Sequence, residues 1–135
     1  MNPQAFPVLI ARLMMATMFL FAGIEKLTGL EGTAQYIASV GLPLAKPLAL
    51  GSGLLEVVGS LLLIVGWQAR WAGLALAAFT LLASFLFHDF WTLPKDAQMV
   101  PMLLFWKNIA ATGGLLMVFA FGAGTISLDQ RRSQA

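Results

Sequence analysis

The sequence predicts an all-α integral membrane protein: a four-helix up-down-up-down bundle with a short interfacial helix between its first two spans. Three observations carry this. Of 135 residues, 59% are hydrophobic and only 10% are charged, where soluble domains carry roughly 25% charged residues. Mean hydropathy is +0.84. The apolar residues gather at about 8–27, 48–66, 70–88 and 102–122, each close to the ~20 residues a helix needs to cross a bilayer. Four such helices use about 80 residues and leave about 55 for connections, so residues 1–135 form a single transmembrane domain.

The first stretch follows Met1-Asn2-Pro3-Gln4, which lacks the basic start of a cleavable signal, and is expected to be a retained helix. It contains Arg12. The second contains Glu56, but 57–69 has no charge and few polar side chains, as expected of a helix buried all round in protein or lipid. Between them Leu30, Ala34, Ile37 and Val40 recur at helical spacing until Gly41 and Pro43, which predicts an amphipathic interfacial helix. Gly66-Trp67-Gln68-Ala69 is a tight turn, making the second and third spans antiparallel neighbours. Pro94, Lys95, Asp96 and Pro101 mark a turn-rich loop before the fourth span. Trp67 and Trp71 mark one water interface, and Tyr36, Trp91 and Trp106 the other.

Both termini then share one side, the terminal side, with Arg70, Arg131 and Arg132; Lys26, Lys46 and Lys95 lie on the opposite, loop-rich side. The expected location is a bacterial inner membrane, multi-pass, with the termini in the cytoplasm. The net charge of +2 is scattered, which excludes a nucleic-acid surface. With no cysteine and one histidine, His88, the chain by itself offers no thiol chemistry, iron–sulfur ligation, bis-His haem or metal site. No intrinsic cofactor is expected.

The intramembrane polar residues are the informative ones. Each costs very roughly 2.5–3.5 kcal/mol near the bilayer centre, so a set of them facing inward implies a pocket or a structural network. At about 1.5 Å per residue, Glu56 lies ~15 Å beyond Lys46, and Arg12 differs from it in depth by only ~6 Å, which predicts an Arg12–Glu56 pair. Arg12 also reaches the terminal side by snorkelling. Helical phase puts Arg12, Ala16, Phe19, Gly23 and Lys26 on one face, Ser52, Glu56, Gly59 and Ser60 on another, and Lys107, Ala111 and Gly114 on a third. The candidate ligand-binding or proton-relay residues are Glu56, Lys107, Asn108, His88, Arg12 and Lys26. Phe85, Phe87, Phe90, Trp91 and Trp106 are the candidate aromatic wall. No self-contained catalytic motif is present.

At these residues the chain resembles the DoxX family of small four-helix bacterial inner-membrane proteins. The likeness runs through Arg12-Leu13-Met14, Phe19 to Leu27, Gly41-Leu42-Pro43, Leu55-Glu56-Val57-Val58-Gly59, Phe87-His88-Asp89-Phe90-Trp91, Phe105-Trp106-Lys107-Asn108 and Gly113-Gly114. The resemblance implies an accessory subunit of a redox or oxidative-stress assembly, of the kind that accompanies a thiosulfate:quinone oxidoreductase, with a quinone as ligand and an oxidoreductase protein, or a second copy, as partner. Two other readings stand beside it. One is a proton or apolar-metabolite binding or transport module; the other is a membrane scaffold without ligand.

Overall fold

The structure, a computed structural model, describes residues 2–134, which form helices and no strands. Four helices cross the bilayer: α1 (Ala5–Thr28), α3 (Ala45–Val65), α4 (Ala69–Phe87) and α5 (Met99–Phe121). All four are long and apolar enough to span. The predicted interfacial helix is α2 (Leu30–Ser39), and it seats Ala34 and Ile37 on Ala49 of α3. Two short 3-10 turns, Phe90–Thr92 and Lys95–Ala97, make the loop before α5.

Three of the spans begin earlier than the sequence pattern suggests, and for one reason. Pro7, Pro47 and Pro101 each occupy the third position of a helix. The first four N–H groups of a helix have no intrahelical partner, so a proline there forfeits nothing. The prolines open these helices and do not stop them.

The helices pack as two close antiparallel pairs, α1 with α3 and α4 with α5, and small residues set the spacing. A Cβ on Gly23 would lie 2.9 Å from the Gly53 carbonyl and 2.8 Å from Val57 Cγ2, so α1 and α3 touch backbone to backbone. A Cβ on Gly73 would lie 3.0 Å from the Leu115 carbonyl, which shows the same closeness between α4 and α5. The pairs join where Gly59 admits Leu76 and Gly114 admits Met15. Leu63, Leu76 and Leu115, fully buried with Ala16, Phe19, Ala72 and Val118, fill the terminal half of the bundle as a dry layer.

On the terminal side the chain after α5 folds back, turning at Gly122 (φ +85°) and Gly124 (φ +80°), and ends in α6 (Leu128–Ser133). Ser127 caps α6 by accepting the Gln130 N–H. That Ser-x-x-Gln spacing is a helix-start signature. Asp129 accepts the Gln68 and Ala69 N–H groups at 2.8 and 3.0 Å, so a carboxylate from another segment caps α4.

Candidate functional site

The predicted Arg12–Glu56 pair does not form. Arg12 is 2% exposed and belongs to the terminal side, where its guanidinium donates to the carbonyls of Ala123, Ile126 (2.9 Å) and Ile64 (3.4 Å). Three backbone acceptors freed by the turn at Gly66 and by the folded-back chain take the guanidinium instead of the Glu56 carboxylate. Arg12 fastens the C-terminal segment to the bundle. It lies away from the other site candidates.

Glu56 instead accepts from Lys26, Nζ to Oε2 2.7 Å. The Gly23–Gly53 crossing brings α1 close enough for Lys26, one turn after Gly23, to reach Glu56, one turn after Gly53. Glu56 is buried and Lys26 half-buried, so the pair spans from the protein interior towards the loop-rich side.

This pair edges a cavity of about 660 Å³ between α3 and α4 in the loop-rich half. The two helices touch at Gly59 and Leu76 near their connecting turn, and the cavity fills the space between them beyond it. Its charged and polar groups include Lys26, Glu56, Thr80, His88, Lys107 and Asn108, with Thr33, Tyr36 and Ser52 also in the lining. Most of the remaining lining is apolar, with Phe19 and Phe79 deep and Leu48, Leu82 and Leu86 at an outer rim exposed towards lipid. At the loop-rich end Tyr36 of α2 meets Phe87 of α4, ring centroids 5.3 Å apart, with the tyrosine hydroxyl 3.4 Å from the Phe87 carbonyl. At the other end lies the dry Leu63–Leu76–Leu115 layer.

The cavity thus gathers Glu56, Lys26, His88, Lys107 and Asn108 and leaves out Arg12. The aromatic wall divides as well. Only Phe87 lines the cavity. Phe85, Phe90, Trp91 and Trp106 pack around Phe105 in a separate edge-to-face cluster, because the 3-10 turn at Phe90–Thr92 folds its rings onto the outer face of α4 and α5. The phase of α5 is also corrected. Its buried stripe is Phe105, Asn108, Thr112, Leu115 and Val118, one residue on from the Lys107–Ala111–Gly114 line. That rotation buries Asn108 and leaves Lys107 exposed at the cavity margin.

Sequence reasoning missed Thr80, Ser84 and Thr112, all buried between α4 and α5. The hydroxyls of Thr80 and Thr112 have no partner. Their signal was present: Thr80 and Ser84, like Asn108 and Thr112, are four residues apart and share a helix face. Among the described residues, Lys107 has no salt-bridge partner, and the Asn108 amide and the second oxygen of Glu56 make no hydrogen bond. No group of acidic, histidine or cysteine residues among them is arranged to hold a metal.

Four spanning helices around a largely apolar cavity that carries a few polar side chains define a polytopic membrane protein. The DoxX family model matches residues 7–89, and the chain belongs to the DoxX family. It is 34% identical to the inner membrane protein YphA of Escherichia coli, over 92% of this chain and 89% of that one. It is 40% identical to the inner membrane protein YqjF of the same organism, over 91% and 89%. A Surfeit locus protein 4 homolog of Drosophila melanogaster is 25% identical over 58% of this chain and 31% of its own length. No solved structure matches the chain significantly.

Proposed function

We propose that this inner-membrane protein is a quinone-binding accessory subunit of a membrane redox assembly. One observation carries the reading: Lys107 and Asn108 offer hydrogen bonds, unanswered among the described residues, to a mainly apolar cavity whose rim faces lipid. A quinone needs such a place, with donors for a carbonyl oxygen and apolar surface for ring and tail. The volume falls within the range of about 300–1,000 Å³ usual for small-molecule sites. The redox assembly itself rests on the family resemblance.

The alternatives fit less well. A through-going relay would have to cross the dry leucine layer. A scaffold without ligand accounts for Lys26–Glu56 and for Arg12, but it gives no role to Lys107 and Asn108, which have no partner among the described residues. Protein purified in mild detergent is expected to carry quinone enriched over an unrelated membrane protein. Lys107→Met and Asn108→Leu should each lower that enrichment about tenfold, the effect of losing one hydrogen bond of about 1.5 kcal/mol. Equal quinone content in wild type and both variants would defeat the reading.

We further propose that both termini lie in the cytoplasm. Lys26 turns into the bundle to reach Glu56, which leaves Lys46 and Lys95 on the loop-rich side against Arg70, Arg131 and Arg132 on the terminal side. Lys and Arg near span ends set orientation. The chain has no cysteine, so single introduced thiols report cleanly. Lys95→Cys should react with an impermeant maleimide applied to cells whose outer membrane has been opened, and Ser133→Cys only after lysis. The reverse pattern would invert the topology.

A further inference from the structure

A second cavity, of about 500 Å³, opens on the terminal side where α4 starts and α5 ends. The leucine layer separates it from the cavity that holds Glu56. Its walls are the start of α4, the turn at 122–125 and one side of α6. Gly122 shapes it. At φ +85° the turn favours glycine, and a Cβ there would lie 3.4 Å from Arg70 Nε and 3.8 Å from its Nη2. The Arg70 guanidinium therefore rests against the turn, in the wall of the cavity. It is exposed and has no acidic partner among the described residues. Asp129 is the one carboxylate in the lining, and its two oxygens accept from the Gln68 and Ala69 N–H groups. The side chains of Gln68, Thr125 and Gln130 line the cavity with no hydrogen bond among the described residues. At the cavity edge Trp71 and Phe121 are exposed, and tryptophan at a span end marks the level of the lipid headgroups.

We propose that this cavity binds the headgroup of an anionic, hydroxyl-bearing phospholipid of the phosphatidylglycerol kind, with the phosphodiester on Arg70 and the acyl chains along Trp71 and Phe121. A guanidinium meets a phosphate with two parallel hydrogen bonds, and basic pockets between spans at the membrane surface take lipid headgroups. The end of α4 is already capped by Asp129, so the attraction comes from the side chain and not from the helix. Charge selects among lipids. A zwitterionic headgroup brings an ammonium towards Arg70, with Arg131 and Arg132 close behind on α6, and finds one carboxylate that is already engaged. A glycerol headgroup brings hydroxyls, which the Gln68, Thr125 and Gln130 side chains can answer as donors or acceptors. A lipid seated there touches both α4 and the returning chain, on the opposite side of the leucine layer from the proposed quinone.

The test uses delipidated wild-type protein in mild detergent, with native mass spectrometry to read the binding of phosphatidylglycerol and phosphatidylethanolamine carrying the same acyl chains. Phosphatidylglycerol should bind about tenfold tighter, the effect of one hydrogen bond to a charged group. Arg70→Gln should erase that preference, and Lys95→Gln, on the opposite face, should keep it. Excess inorganic phosphate should leave the lipid bound. Equal affinity of the wild type for the two lipids overturns the proposal, as does an unchanged preference in Arg70→Gln. Equal loss in Lys95→Gln overturns it too, since the attraction is then diffuse charge. Displacement by inorganic phosphate would reveal a free-anion site in place of a lipid site. Because the two lipids are compared on the wild type, the outcome does not depend on Arg70→Gln folding.

Discussion

Replacing Arg12 by methionine should cost about 3 kcal/mol, because the buried Ala123 carbonyl and the partly buried Ile126 and Ile64 carbonyls lose a charged hydrogen-bond donor. The guanidinium is the common tie between α1, the end of α3 and the returning chain at Ala123 and Ile126. Methionine keeps much of the apolar stem, so packing is largely spared and the loss isolates the polar tie. Unfolding in detergent should occur at lower temperature or denaturant. Protease should cut within 122–134 in the variant under conditions that leave the wild type whole. The cavity lies beyond the leucine layer, so quinone content per folded molecule should not change. Unaltered stability with an intact tail would show that Arg12 holds nothing. A charge-swapped Arg12→Glu, Glu56→Arg double variant should give no rescue, since these residues are not partners; the swap that restores a pair is Lys26→Glu with Glu56→Lys.

The second large effect is expected at Gly23. Its added Cβ meets Glu56 Cβ at 2.9 Å and the Gly53 carbonyl at 2.9 Å. Neither can swing aside as a side-chain tip can, so Gly23→Val must push α1 off α3. Overpacking of this kind costs about 1–3 kcal/mol, and separation also parts Lys26 from Glu56, leaving a buried charge alone, which costs about 3–5 kcal/mol when it occurs. Loss of most folded protein is the expected result, read as monodisperse yield. Gly113 is the control: nothing lies within 4 Å of a Cβ built there, so Gly113→Val should fold at nearly wild-type yield. Similar yields from both substitutions would refute the close α1–α3 crossing.

Much of this architecture is legible in the amino-acid order, because lipid imposes a simple rule. A span must be apolar and about 20 residues long, and the uncharged runs 57–65 and 108–121 fall within α3 and α5. Phase on α1 was legible too: Arg12, Ala16, Phe19 and Gly23 are all buried. What resisted reading was depth combined with choice of partner. Arg12 and Glu56 are near in depth and opposite in charge, yet the arginine found carbonyls exposed by glycine turns at 66, 122 and 124. No pattern of side chains announces where backbone acceptors will be free. The phase of α5 failed for a different reason. Its apolar residues surround the helix almost uniformly, so only the packing against α4 decides that Asn108 turns in and Lys107 stays at the margin.

The dry layer of Leu63, Leu76 and Leu115 has a bioenergetic consequence. A polar chamber open at both faces would let protons run down the electrochemical gradient, at about 2.3 kcal/mol per charge for every 100 mV. With that end packed by leucines, the cavity offers no polar path through to the terminal face, so the membrane stays insulating across this protein.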